Sequence, residues 1–416
     1  MIRKLFVSAI LLIALTSTLL AANSSAVTAK KYKILLRSSW QTINIGDIGH
    51  TPGMIALLEK QMPEAEVILW PSTVADGVRE MLLRRFPNLK ILNPNHKASL
   101  EKAFEECDFL LHGSGPWLVA DQDVKKWVDE TGKPFGVLGI TLPKERATPL
   151  VVSLLNKAKF VYFRDSVSLD VAKESGVKAP VMEFGPDAAF AVDLRNDKAA
   201  NEFLKANKLK KGKFVCVIPK YRRTPNWLVP NKNAAYDAAI DKRNQEMKEH
   251  DMRPYREAII AIVLQTNMKV LICAEDVTQV ALGKEMLYDP LPENVKKRVV
   301  WRDKFWLTDE ALSVYVQSAG LFGVEQHSPI MCIGNCTPAL LGRYEEQTSK
   351  GYMWYNIGLG DWFFDSDKPE QMARLNATIL SVIKNKKEVQ QRTLKAKAFV
   401  DAKLKNAVEV LKQSIN

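Results

Sequence analysis

The feature that most constrains this chain is an alternation. Short, wholly apolar runs recur between stretches whose apolar residues fall at helical spacing. The runs at 32–37, 66–70, 89–92, 108–112, 135–140 and 160–163 read as strands. Between them, 53–61, 74–85, 98–106 and 149–156 read as helices, and 166–175 as a helix closed by Gly176. A strand that is apolar on both faces is covered on both faces. Such strands alternating with helices imply a parallel sheet between two helical layers.

A second series starts with the runs at 214–219 and 269–273 and continues to about residue 342. The charged stretch 193–213 between the two series reads as a solvated amphipathic helix. With 416 residues, 47% hydrophobic and 25% charged, the chain is long enough for two such cores. The expected organisation is an N-terminal α/β domain over 32–195, a C-terminal α/β domain over 213–385 and a helix over 386–416. An imperfect apolar stripe on that last helix (Leu394, Ala398, Leu404, Val408, Leu411) suits a helix lying across the body. Two parallel sheets facing each other place a ligand cleft between their carboxyl ends.

The first 26 residues are expected to stand outside the fold. Arg3 and Lys4 precede a mostly apolar stretch from Leu5 to Ala22, and Ser24-Ser25-Ala26 offers a small-x-small cleavage site. This reads as a secretory signal peptide, hence an exported protein with no membrane span after cleavage. The alternative is an uncleaved anchor. The net charge of +12 fits an anionic partner. No solid basic tract or known motif points to nucleic acid. Cys107, Cys216, Cys273, Cys332 and Cys336 are scattered, and no His/Cys group has ligand spacing, so no metal is expected.

Three turns carry candidate chemistry. In Asn44-Ile45-Gly46-Asp47-Ile48-Gly49-His50-Thr51-Pro52, the glycines allow close backbone approach to a ligand, and Thr51-Pro52 reads as a helix start with His50 before it. Glu325-Gln326-His327-Ser328-Pro329 repeats His-(Thr/Ser)-Pro after a strand in the second half. The two helix starts would present free N–H groups to an anion. The bland alternative is two ordinary capped helices with incidental histidines. The third turn is His112-Gly113-Ser114-Gly115, either a binding loop or a structural one. Arg164, Arg222, Arg343 and Lys350 lie near expected strand ends, where they would bind carboxylate or phosphate unless they are surface charges.

These residues together resemble the polysaccharide pyruvyl transferase family. Asn44-Ile45-Gly46-Asp47 is similar to its N-x-G-D entry, and His112–Gly115 to its glycine-rich turn. Arg164-Asp165-Ser166 with Gly176-Val177 and Pro186-Asp187 resembles its central block. His327, Thr337-Pro338, Lys350-Gly351 and Ile357-Gly358-Leu359 resemble its C-terminal region. The resemblance covers about residues 33–365. It implies two Rossmann-like domains in a glycosyltransferase-B-like arrangement, and transfer of a pyruvyl group from phosphoenolpyruvate to two hydroxyls of a glycan as a ketal. No cofactor is implied beyond that donor.

The implied chemistry assigns roles. Protonation of the enol methylene needs a general acid, His327 first and His50 second. Arg164, Arg222, Arg343, Lys350, Asn44, Gly46, Gly113 and Gly115 would hold the anionic donor. Asp47 or Asp187 would orient a sugar hydroxyl. Two departures stand out. Glu325 replaces the family's arginine two residues before the histidine, with Arg343 the nearest candidate to compensate. Export would also separate the enzyme from a cytoplasmic donor. The competing reading is a non-catalytic glycan-binding module on the same fold.

Overall fold

A computed structural model describes residues 32–93, 95–230 and 232–415. The expected signal peptide lies outside the described residues. The first sheet has seven strands: β1 (Lys33–Ser38), β2 (Glu66–Pro71), β3 (Lys90–Ile91), β4 (Phe109–His112), β5 (Phe135–Ile140), β6 (Val161–Phe163) and β7 (Met182–Phe184). Their order is β3-β2-β1-β4-β5-β6-β7, and every pairing is parallel. Leu35 of β1 pairs with Ile68 on one side and Leu110 on the other.

The second sheet has six strands: β8 (Phe214–Ile218), β9 (Lys269–Ile272), β10 (Val299–Trp301), β11 (Leu321–Gly323), β12 (Ala339–Arg343) and β13 (Phe363–Asp365). It too is all parallel, in the order β10-β9-β8-β11-β12-β13. The strand order reverses between β1 and β4 and again between β8 and β11. Loops leaving these strands diverge there and open a crevice, the usual ligand position in such sheets. The turns at 39–47, 112–115, 219–225 and 324–327 all leave these four strands.

The helix Ile45–Gln61 is buried along most of its length because it is packed from both sides. One side meets the segment Ala188–Ala191, the other the helix His327–Gly334. Glycines permit that approach. A Cβ on Gly46 would lie 2.3 Å from the His327 Cβ, and one on Gly53 only 2.1 Å from the Ala188 carbonyl oxygen. Expectation and structure differ here. Thr51 is no cap and Pro52 lies inside the helix, which starts at Ile45 with Asn44 as its cap. The Asn44 side chain accepts from the amides of Gly46 (2.7 Å) and Asp47 (3.1 Å), fixing the start well before Thr51-Pro52, with Asn44 rather than Thr51 as the cap.

Between the sheets lies the helix Asp197–Ala206, with only Ala200 and Leu204 buried, a solvated amphipathic segment. The C-terminal helix Lys386–Ile415 reaches the first lobe: Phe399 stacks on Phe184 and Lys412 pairs with Glu64. Its buried stripe runs through Val389, Thr393, Ala396, Val400, Leu404, Val408 and Leu411. Leu394 and Ala398, expected on that stripe, are exposed instead. Each fully buried aliphatic here contributes about 2 kcal/mol, enough to hold a long lysine-rich helix down. One cluster of buried side chains runs continuously through both lobes. No helix among the described residues is long and apolar enough to cross a membrane.

Candidate functional site

Backbone joins the two lobes at the site. Asn44 and Asp276 form an antiparallel bridge. The Ile45 amide donates to the Glu275 carbonyl (2.9 Å) and the Val277 amide to the Ile43 carbonyl (3.2 Å). The Thr308 hydroxyl donates to the Ile45 carbonyl (2.8 Å). This seam presses the start of the Ile45–Gln61 helix against the start of the His327–Gly334 helix.

The seam brings His50 and His327 together. Their ring centroids are 4.8 Å apart, edge to face. Each ring is held through Nδ1 by a buried carboxylate: His50 by Asp187 at 2.9 Å, His327 by Glu275 at 3.2 Å. Each Nε2 is buried without a hydrogen-bond partner, the His50 one lying 3.5 Å from Asp47 Oδ1. Burial disfavours an imidazolium at position 50, but Asp187 and then Asp47 outweigh it and raise the pKa to about 9. Burial likewise opposes ionised Asp47 and Asp187. The neighbouring imidazoles nonetheless hold both well below the usual carboxylate range, helped by Lys350 for Asp47 and Arg164 for Asp187. Asp47, His50 and His327 each place one ligand atom within 4.8 Å of the others, so a proton or a metal ion has the same seat here.

Arg164 joins this cluster from the end of β6. Its Nη1 donates to Asp187 (2.7 Å) and its Nε to Thr141 (2.6 Å), while Nη2 is buried without a partner. Lys350 reaches in from the other lobe. Burial, and then the charge of Arg164, lower its pKa, with Asp47 opposing. It forms no ion pair with a carboxylate among the described residues. A cavity of about 310 Å³ opens beside it, with His327, Lys350, Lys220, Arg223, Asn226 and Glu325 in its wall.

Other expected ligands have different work. Arg222 is surrounded by Asp251, Glu346 and Asp367, and Arg343 by Asp365, so neither charge is free for a donor. Both secure the loop that carries Lys350. Arg343 donates to the Thr348 carbonyl (2.7 Å) and Arg222 to Glu346 (2.9 Å). Asn44 is spent on its cap, and Gly46 faces His327 rather than a ligand. Gly113 and Gly115 are buried against Ser38 and Trp40, so the glycine-rich turn is a packing element. Asp187 is fully buried, with its oxygens on His50, Arg164 and the Ala189 amide, and reaches no sugar hydroxyl. Both helix starts have amides that are already engaged by side chains of the protein. Asn44 covers the first, and at the second the Ser328 amide donates to Glu275 (2.6 Å).

The family model for polysaccharide pyruvyl transferases matches residues 44–341, more than half of the chain, including His50, Arg164, Asp187, Glu275 and His327. The chain belongs to the polysaccharide pyruvyl transferase family. Compared with curated proteins by sequence, it has no match. Solved structures share its fold at low identity. The UDP-GlcNAc 2-epimerase from Neisseria meningitidis bound to UDP-GlcNAc superposes with a TM-score of 0.54 at 10% identity, covering 92% of this chain and 100% of that one. Anabaena Alr3699/HepE in complex with UDP and glucose gives 0.54 at 11%, covering 92% and 100%. The S. aureus MnaA–UDP co-structure gives 0.55 at 11%, covering 91% and 94%. The architecture is that of two Rossmann-like sheets in a glycosyltransferase-B-like arrangement.

Within this pyruvyl transferase fold, the residue that departs from the expected pattern is neutralised. Glu325 pairs with Lys220 (2.5 Å) and accepts from Gln279 (2.6 Å). Burial raises its pKa and Lys220 counters that. The compensating cation is thus Lys220 after β8, and Arg343 takes no part. Sequence reasoning missed Lys220, Glu275 and Thr141. Glu275 was signalled by Ala274-Glu275-Asp276 directly after an apolar run, a carboxylate at a strand end. Its partner His327 lies in a different loop, so no local pattern exposed the pairing.

Proposed function

We propose that this protein is an exported pyruvyl transferase that places a ketal on a cell-envelope or extracellular glycan, with phosphoenolpyruvate or a closely related enol phosphate as donor. The observation that carries this reading is the contact of His50 and His327 between the lobes, with Arg164 and Lys350 as the cations beside it. His327 borders the cavity and His50 does not, which assigns the acid role to His327. His50 is held cationic behind it by Asp187 and Asp47, and it supports the negative charge of a donor carboxylate or phosphate. Lys350, in the cavity wall, binds those anionic groups, and Arg164 holds Asp187 in place behind His50.

In this scheme His327 gives its proton to the enol methylene, and C2 becomes electrophilic. One sugar hydroxyl adds to C2, a second displaces phosphate with cleavage of its bond to C2, and the ketal closes. Of the two hydroxyl protons, one restores His327 and the other leaves with phosphate. Asp47, the partly exposed carboxylate of the set, orients the first hydroxyl. The decisive experiment incubates purified protein with phosphoenolpyruvate and envelope polysaccharides and follows phosphate release and the ketal methyl resonance. Transfer that is lost in His327→Gln supports the proposal. Glycan binding without phosphate release from any polysaccharide supports the non-catalytic module instead.

A further inference from the structure

The loop between β8 and the helix Ala238–Gln265 carries an aromatic pair, half-buried Trp227 and exposed Tyr236, that the chemistry above leaves unused. Trp227 and Tyr236 meet edge to face, with ring centroids 5.1 Å apart. Tyr236 is 62% exposed, and Leu228 beside Trp227 is 55% exposed. Exposed side chains of this size are usually mobile, but these are anchored. The Tyr236 hydroxyl donates to Asp241 (2.7 Å) in the first turn of the following helix, and Asp237 caps that helix through the Ala239 and Ile240 amides (both 3.0 Å). At the other end Lys232 donates to the Asn226 side chain (2.7 Å).

Two of the anchoring residues belong to the site. Asn226 and Ile240, which bracket the pair in sequence, both line the cavity that holds His327 and Lys350, together with Arg223 and Thr224. A fixed aromatic surface therefore continues a wall of hydrogen-bonding groups. That combination suits a ligand with one apolar face and a polar rim. A pyranose ring presents an axial C–H face and a belt of hydroxyls. A small trianionic enol phosphate has no use for an aromatic face.

We infer that Trp227 and Tyr236 form the platform on which a neutral hexose of the acceptor glycan stacks, with its hydroxyls turned into the cavity toward His327. Asn226, Thr224 and Arg223 supply the hydrogen bonds that set its orientation. This rests on the transferase reading for the identity of the acceptor, but the binding itself is measured without donor or turnover.

The test is calorimetric titration of the full chain with neutral tetrasaccharides of glucose, galactose, mannose or N-acetylglucosamine. One of them is expected to bind, and both Trp227→Ala and Tyr236→Ala to weaken it by about tenfold or more, the size of a lost stacking contact. Trp227→Phe should stay within about threefold of the parent, because it keeps a stacking face. Thermal melting of each variant checks that the fold is intact. Two results overturn the platform: unchanged affinity in both alanine variants, or no tetrasaccharide binding while UDP or uridine binds and is lost with Trp227. Binding through the platform with no phosphate released from phosphoenolpyruvate sinks the transferase reading alone. Transfer that is indifferent to Trp227 and Tyr236 sinks the platform alone.

Discussion

At the scale of single residues, the site is a set of cations and anions whose protons are placed by charged neighbours against the cost of burial. His327→Gln keeps a donor toward Glu275 but cannot protonate carbon, so turnover should fall by about 10²–10⁴-fold. Melting should shift by only a few degrees, since the hydrogen-bonding partner is retained. His50 sets a pH limit. Its folded-state pKa of about 9 lies above the ordinary 6.5, so folding favours the protonated form. The stabilisation is complete below about pH 6.5 and is lost as pH rises through about 9, amounting to about 3 kcal/mol at most. Denaturant titrations from pH 6 to pH 10 should show that decline in the parent and little of it in His50→Gln. Asp187→Asn removes the charge shared by His50 and Arg164. It should cost about 3–5 kcal/mol, as breaking a buried ion pair does, and a flat denaturation midpoint would show that Asp187 is dispensable.

At the scale of elements, most strands were legible because their runs are largely apolar, whereas the three-residue edge strands β7 (Met182–Phe184) and β13 (Phe363–Asp365) are too short to stand out as apolar runs. The helix starts were less so. Thr51-Pro52 has the chemistry of a beginning, yet the upstream cap Asn44 and the packing against Ala188 and His327 extend the helix through the proline. The histidine pair was legible only as two similar turns, while its carboxylate partners came from loops far along the chain. Arg222 and Arg343 misled because Asp251, Asp365 and Asp367 are remote in sequence, and a cation's partner decides whether it is a ligand or a strut. Gly46→Ala tests the packing directly. Its methyl group would meet the His327 side chain, so stability should drop by about 1–3 kcal/mol and activity should fall more steeply than stability. A variant with parent-like turnover would mean that the two helix starts can move apart freely.

At the scale of the whole molecule, the two lobes share a hydrophobic cluster, a backbone seam and a helix that crosses from one to the other. The expectation of export is checked at the N-terminus: mass spectrometry of protein from the producing cell should find a first residue between about 23 and 30, in keeping with a cleaved leader. Retention of Met1 in the membrane fraction would identify an anchor instead. The shared seat of Asp47, His50 and His327 is checked by elemental analysis, which should find no stoichiometric transition metal. One ion per chain that disappears in His50→Ala would give these residues to metal chemistry.

The seam also bears on how the molecule comes into being. The Thr308 hydroxyl bonds the Ile45 carbonyl across 263 positions of chain, and the ribosome adds about 5–20 residues each second. His50 is therefore made many seconds before the two loops that bring Glu275 and His327 to it. During that interval the first lobe can complete its own sheet, but it owns only one of the two histidines. A truncated or stalled product that ends before His327 lacks the proposed acid.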